Sequence, residues 1–510
     1  MTYSGTRRWW ALGALSVALL TIGLDTTILN VALPTLATEL SASTSELQWF
    51  VNSFTLVLAA GLLPAGLCGD RFGQKKLLLV ALTVFGAASA WCAYAGSAGM
   101  LITARAALGL GAALLIPLSM SMLTRMFHGA ERTKAIGVWS AAMALGIPLG
   151  PVVGGWLLDH FWWGSIFLIN IPLVLVGLLL LGWLLPATPA APGNRIDGIG
   201  VLLSATGLGV LTYGLIEAGE HGWGGTLTWS LILLGGLLLG AFGWWITRAR
   251  TPLVDPALFS SRGFAWGTLL ATVASFVLMG AMFVLPQYFQ AVFDATALGT
   301  GLRLLPVVGG LLVGVQLANR LRPNVGAKAI VAIGFALLAA GLLIGTQTSV
   351  ADSYGFVAFW LSVLGVGFGF ALPPAMDIAM GALPRSGSGV GSGMLQAARQ
   401  VGGTLGVALL GTLLGATYRG QLDLTAVPAA AADSAAAGVR VAQTLDAPEL
   451  LASVRAALVH GMSATLWVCA GIAVLGVILT LVYLPNHAED VVAEEQGERT
   501  GQSKDEHVAG

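Results

Sequence analysis

Charge is what this chain most lacks. Of its 510 residues only 9% are Asp, Glu, Lys or Arg, against about 25% in an ordinary soluble domain. Its formal net charge is zero, so no global field points to nucleic acid or to a strongly charged partner. Cysteine is scarce too. Cys68, Cys92 and Cys469 lie in apolar stretches without ligand spacing, which excludes a disulfide framework and makes them reduced packing residues. The six histidines are scattered with no metal-binding pattern. No Gly-x-x-x-x-Gly-Lys loop occurs, so nucleotide hydrolysis is not expected. With no Ser-His-Asp or zinc pattern either, the chain reads as a non-enzyme that needs no cofactor.

What is present is hydrophobicity, at 56% of residues, in repeated runs of about 20, the length that crosses a hydrocarbon core of about 30 Å. The runs fall near 9–33, 47–67, 76–96, 99–123, 135–157, 163–185, 197–217, 227–247, 264–290, 298–318, 327–347, 354–378, 394–418 and 461–484. An even number places both termini on one side. Of 24 Lys and Arg, 18 fall on that side, three (Arg419, Arg440, Arg455) fall opposite in one loop, and three (Arg105, Arg303, Arg399) lie within spans. Positive residues are retained in the cytoplasm. The termini are therefore expected there, and the first apolar run, behind Arg7 and Arg8 and lacking a cleavage site, is read as a retained anchor.

Composition also marks joints. Pro-rich breaks at 185–194 and 249–263 enclose just two spans. The expected organisation is a cytoplasmic N-terminus (1–8), a six-helix bundle (9–185), two linker spans (197–247), a second six-helix bundle (264–484) with a polar, Ala-rich outer loop (419–456), and a disordered cytoplasmic tail (485–510). A faint repeat supports two equivalent halves. "LCGDRFGQKKLLL" and "LANRLRPNVGAKAI" each join the second and third spans of a half, and "GPVVGGW" has a glycine-rich counterpart in "RQVGGTLGVALLG".

These residues resemble the major facilitator superfamily, specifically its fourteen-span drug:proton antiporters. "LDTTILNVALP" is similar to the first-helix signature. "GLCGDRFGQKK" resembles the superfamily's charged loop through Gly66, Asp70, Arg71, Gly73, Lys75 and Lys76, with Gln74 where Arg is usual. "RAALGLGAA" resembles the fourth-helix motif, with Leu108 where Gln is common. Gly137, Gly146, Gly150, Pro151, Gly154 and Gly155 match the fifth-helix antiporter motif, whereas Gly164 and Ser165 depart from the Arg and Trp of a neighbouring pattern. The resemblance implies an all-α membrane fold of two six-helix bundles plus two central helices, and proton-coupled export. Independently of it, a turn pairing Asp70 with Arg71 suits locking of the two halves. Glycines every four residues at 146, 150 and 154 suit close helix packing.

Buried charge carries the functional reading. Asp25 lies nine residues before Pro34, about 13 Å along a helix, and Arg105 lies about 9 Å from the outer end of its span. Their depths match, so the two can pair. Thr21, Asp25, Thr26, Thr27 and Asn30 cover more than half the circumference of the first span, which no lipid-facing helix tolerates. Two readings stay open: a permanent bridge that only fixes packing, or a carboxylate that takes up and releases a proton as its arginine moves. One proton moving down about 100 mV supplies about 2.3 kcal/mol. Tenfold accumulation costs about 1.4 kcal/mol, so one proton sustains a gradient of roughly fortyfold.

Asp377, in "PPAMDIAM", and Arg399 match in depth near the inner side and form a second candidate coupling pair, or an interface salt bridge. Glu217 and Glu220 read as exposed loop-edge charges, and Arg303 has no assignable partner. Asn30, Trp49, Phe54, Met120, Trp139, Met143, Phe283, Tyr288 and Phe370 are the candidate lining of a greasy substrate pocket. The expectation is a monomeric bacterial inner-membrane exporter of lipophilic, often cationic drugs or dyes. A dedicated exporter of a self-made antibiotic and a non-transporting sensor or scaffold are the alternatives.

Overall fold

The computed structural model describes residues 5–127, 129–185, 197–249, 252–254, 256–383, 388–422 and 428–484. The expected disordered tail and most of the first Pro-rich break lie outside them.

The first half contains α1 (Gly5–Glu39), α2 (Thr44–Phe72), α3 (Gln74–Ala93), α4 (Ala98–Met126), α5 (Gly129–His160), and a short α6 (Ser165–Leu168) that runs into α7 (Asn170–Leu184). Two central helices follow, α8 (Gly198–His221) and α9 (Thr226–Ile246). The second half holds α10 (Arg262–Val292), α11 (Ala297–Arg303) and α12 (Leu305–Val325), α13 (Ala327–Gly345), α14 (Tyr354–Gly381), α15 (Ser388–Gln421), the short α16 (Ala429–Asp433) and α17 (Ala435–Thr444), and α18 (Pro448–Tyr483). Twelve of these helical segments are long and apolar enough to cross a bilayer, with α6–α7 and α11–α12 each counting as one. At 29 and 32 residues, α2 and α5 have the length as well. All regular structure among the described residues is helical, which satisfies backbone groups within each segment where water is absent.

The halves repeat each other in detail. Gly73 (φ +89°) joins α2 to α3, and Gly326 (φ +86°) joins α12 to α13. Both turns need a conformation that glycine adopts without strain. In the first half α5 packs on α1 through Gly146, Gly150 and Gly154, where a Cβ would run into Gly23, Thr27 and Ile28 respectively. In the second half α15 packs on α10 through Gly402 and Gly406, where a Cβ would meet the carbonyls of Thr272 and Phe276. Small residues at four-residue spacing let each pair of backbones approach closely. Gly137, by contrast, faces open space, so it takes no part in this packing. Gly155 and Pro151 instead meet α11, at Ala297 and Gly301.

The expected polar outer loop is corrected: much of 428–456 is helical and docked. Its alanines favour helix, Ser434 caps α17 by accepting from the Ala437 amide, and α18 begins at Pro448, thirteen residues before the expected boundary. Thr44 Oγ1 donates to the Asp433 carbonyl (2.9 Å) and Arg440 to the Thr38 carbonyl (2.8 Å). This segment thereby ties the ends of α1 and α2 to the second half. Other hydrogen bonds between the halves run from the same end to mid-depth. Gln290 donates to the Val31 carbonyl (2.9 Å), Gln48 to the Ala408 carbonyl (3.2 Å), and Thr404 to Thr55 (2.8 Å).

The central pair leans on the seam between the halves. α8 touches both α2 and α15: Trp49 and Tyr213 lie 6.1 Å apart, Thr412 donates to the Leu215 carbonyl (2.7 Å), and Arg419 donates to the Gly219 carbonyl. α9 packs on α8, with Leu233, Leu237 and Trp244 exposed as lipid-facing residues. Glu217 is not a loop-edge charge: it sits within α8, mostly buried, against His221 (2.9 Å). The side chain of Glu220 is outside the description.

Candidate functional site

The polar face expected on α1 is internal. Thr21, Asp25, Thr27 and Asn30 are all buried, Asp25 completely. From α4, Arg105 (1% exposed) reaches Asp25, its Nη1 donating to Oδ2 at 2.5 Å. Its Nε donates to the Phe50 carbonyl of α2 (3.0 Å), and its guanidinium lies 4.6 Å from the Phe54 ring centroid. Three helices therefore fix one ion pair. A bridge this deep gains little net stability, because desolvation offsets attraction, yet losing one partner strands a buried charge.

The pair is not fully satisfied. Asp25 Oδ1 is buried with no hydrogen-bond partner, and so is Asn30 Oδ1, whose amide nitrogen donates to the Thr26 carbonyl (3.3 Å). A bare carboxylate oxygen is where a proton can land without any hydrogen bond being broken. On α2, Asn52 is fully buried with neither side-chain atom partnered. Gln48, Asn52 and Thr55 share the face toward α15. Sequence reading missed Asn52, and its signal is an amide between two polar residues at helical spacing. It also missed Asp159, whose carboxylate accepts from the Ala297 and Leu298 amides (3.1 and 3.3 Å) at the start of α11, joining the halves. Asp197 was missed as well. It caps α8 and accepts from the Gly200 amide, the Trp245 indole and the Leu253 amide, tying both central helices to the irregular segment that follows.

The second expected pair does not form. Asp377 is held by Arg322 of α12 (2.9 Å), with both side chains substantially exposed. Arg399 instead donates through Nε to Ser275 Oγ of α10 (3.2 Å) and through Nη1 to Gln396 Oε1 (2.6 Å). Asp377 lies four residues before the end of α14 and faces α12, whereas Arg399 lies eleven residues into α15 and faces α10.

In the charged turn, Gly66 and Asp70 belong to α2, but what surrounds them lies outside the description. Arg71 is exposed over Phe72 (5.6 Å). Lys75 donates to the Gly182 and Leu185 carbonyls (2.7 and 2.5 Å), capping the end of α7 within its own half. Arg303 finds aromatic partners, lying 5.8 Å from the Phe293 centroid and 5.7 Å from that of Tyr354.

The expected aromatic lining is dispersed. Trp49 packs at the α8 seam, Phe54 lies under Arg105, and Trp139 donates to Ser119 (3.0 Å). Met143 backs onto Gly23. Phe283 and Tyr288 are wholly buried core residues of the second half, and Phe370 packs with Ala318 and Ile330. Met120 is half-buried in α4. The nine candidates do not converge on one pocket.

A chain whose described residues form only helices, a dozen of them candidate spans, with a two-fold internal repeat and a buried ion pair, is a multi-pass membrane protein of transporter type. Residues 15–407 match the Major Facilitator Superfamily profile, and the chain belongs to that family. It is 34% identical to the multidrug efflux pump LfrA of Mycolicibacterium smegmatis, over 93% of this chain and 97% of that protein. It is 33% identical to the tetracenomycin C resistance and export protein of Streptomyces glaucescens (80% and 76% covered) and 33% identical to the puromycin resistance protein pur8 of Streptomyces alboniger (86% and 88%). The fold matches an inward-facing bacterial homologue of the lysosomal transporter Spinster (TM-score 0.68, 17% identity, 94% and 98% covered) and a D-xylose-proton symporter (TM-score 0.64, 16% identity, 94% and 98% covered).

Proposed function

We propose that the chain is a fourteen-span secondary antiporter that exports lipophilic drugs from the bacterial cytoplasm in exchange for protons, as a monomer with both termini inside. The observation that carries this reading is Asp25: a carboxylate at zero exposure, bonded through one oxygen to Arg105 and bare at the other. Protonation of Asp25 would release Arg105, and reorientation of the first half would follow from losing that tie to α4. Relatives named for multidrug efflux and for antibiotic resistance support drugs as the cargo. Export of a self-made antibiotic is the second reading, favoured by the relative named for tetracenomycin C resistance and export. A scaffold role gives no reason for an ion pair with an unpartnered oxygen.

Purified protein in proteoliposomes tests this. An imposed pH gradient should drive rhodamine 6G movement in the wild type, and Asp25→Asn should abolish that movement while keeping a monodisperse, membrane-inserted protein. Undiminished gradient-driven transport by Asp25→Asn would remove the proton-coupling assignment.

A further inference from the structure

We infer that Arg399 anchors a subsite for an anionic oxygen of the transported molecule, a carboxylate or phenolate, so that acidic amphiphiles are substrates alongside neutral and cationic ones. This rests on the exporter reading and names a substrate class for it.

Among the described residues of the second half, Arg399 is a half-buried cation that forms no salt bridge. Arg399 sits eleven residues into α15, about 16 Å from its start. Its two hydrogen bonds go to neutral acceptors, Ser275 Oγ (3.2 Å) and Gln396 Oε1 (2.6 Å). No carboxylate among the described residues forms a salt bridge with it. Two acids set within the spans are committed elsewhere, Asp25 to Arg105 and Asp377 to Arg322. Guanidinium carries five N–H donors in a planar fork suited to two oxygens, and two of the five are engaged here. The side chain is partly accessible, whereas Ser275, which orients it, is 5% exposed.

A second polar group lies on the same face. Thr268 precedes Ser275 by seven residues, two helical turns, and its Oγ1 is buried without a partner. The strip formed by Thr268 and Ser275 on α10 with Gln396 and Arg399 on α15 offers free donors and a net positive charge in an apolar setting. Ionisable groups inside a membrane are costly and pair wherever they can. A cation left without a counter-ion recruits one, and the ligand class that fits is an oxyanion carried on an apolar body.

Two dyes sharing a xanthene frame but differing in charge make the test. Full-length protein in nonionic detergent, which removes lipid phosphates as competitors, is titrated with fluorescein and with rhodamine 6G by fluorescence anisotropy. The wild type should bind both. Arg399→Gln should lower the fluorescein-to-rhodamine affinity ratio at least about tenfold, the scale of a lost charged hydrogen bond. Arg399→Lys keeps the charge without the fork and should fall between, which carries the test if the glutamine variant does not purify. An unchanged ratio in both variants, or a wild type that binds rhodamine 6G but not fluorescein, would overturn the subsite and leave the exporter reading standing. A wild type that neither binds nor transports either dye would overturn both.

Discussion

Two arginines within the spans divide the molecule. Arg105, in the first half, is closed on every side: a carboxylate at 2.5 Å, a carbonyl at 3.0 Å and an aromatic ring at 4.6 Å. Arg399, in the second half, is held by two neutral side chains and has no carboxylate partner among the described residues. The repeat sharpens the contrast. When "GPVVGGW" is set against "RQVGGTLGVALLG", Gly154-Gly155 match Gly402-Gly403, and Arg399 stands where the first half has Pro151. Where one half has an apolar ring, the other has a guanidinium. The halves share a scaffold and divide the electrostatics, with proton chemistry expected on one side and ligand charge on the other.

Breaking Arg105 should have the largest effect. Arg105→Met strands the Asp25 carboxylate in the core, at a cost of about 3–5 kcal/mol, and should sharply lower the melting temperature in detergent. Adding Asp25→Asn to that variant should restore most of the loss without restoring transport. A double variant no more stable than the single would show that Arg105 acts mainly through Phe50 and Phe54. Arg399→Gln should be far milder, within about 1 kcal/mol, since two modest bonds are lost while an unneutralised charge is removed. A collapse like that of Arg105→Met would reveal a hidden counter-ion and end the contrast. Smallest of all should be Asp377→Asn. Its exposed bridge to Arg322 belongs to a class worth about 0–1 kcal/mol, and thermal melting should barely move. A large loss of transport in that variant would return Asp377 to the coupling role suggested by its position in sequence.

Much of this was legible before any fold was known. Apolar runs of spanning length, two Pro-rich breaks and alternating basic loops outlined two bundles around a central pair. Asp25 with Arg105 was readable from depth alone, because a polar stripe this wide leaves the first helix only an interior position. The glycine ladder at 146, 150 and 154 was readable from its spacing. The same depth argument failed for Asp377 with Arg399. The expected depth of Arg399 rested on a span starting at 394, whereas α15 starts at Ser388 and so sets it deeper, and α14 turns Asp377 to α12. The aromatic candidates failed for a related reason. Phe283 and Tyr288 are as apolar as pocket residues need to be, and equally suited to the core that buries them.

The sequence by itself determined the local quantities: which segments are apolar enough to cross, how deep each charge sits along its helix, and where small residues allow close approach. These follow from a rise of about 1.5 Å per residue and from side-chain chemistry. Tertiary structure alone decided which arginine is neutralised, that α8 covers the seam between α2 and α15, and that the Ala-rich segment after 428 folds onto the ends of α1 and α2. Those outcomes depend on the rotation of each helix about its axis. That rotation is set by packing against neighbours distant in the chain, as Gly23 against Gly146 and Ser275 against Arg399 illustrate.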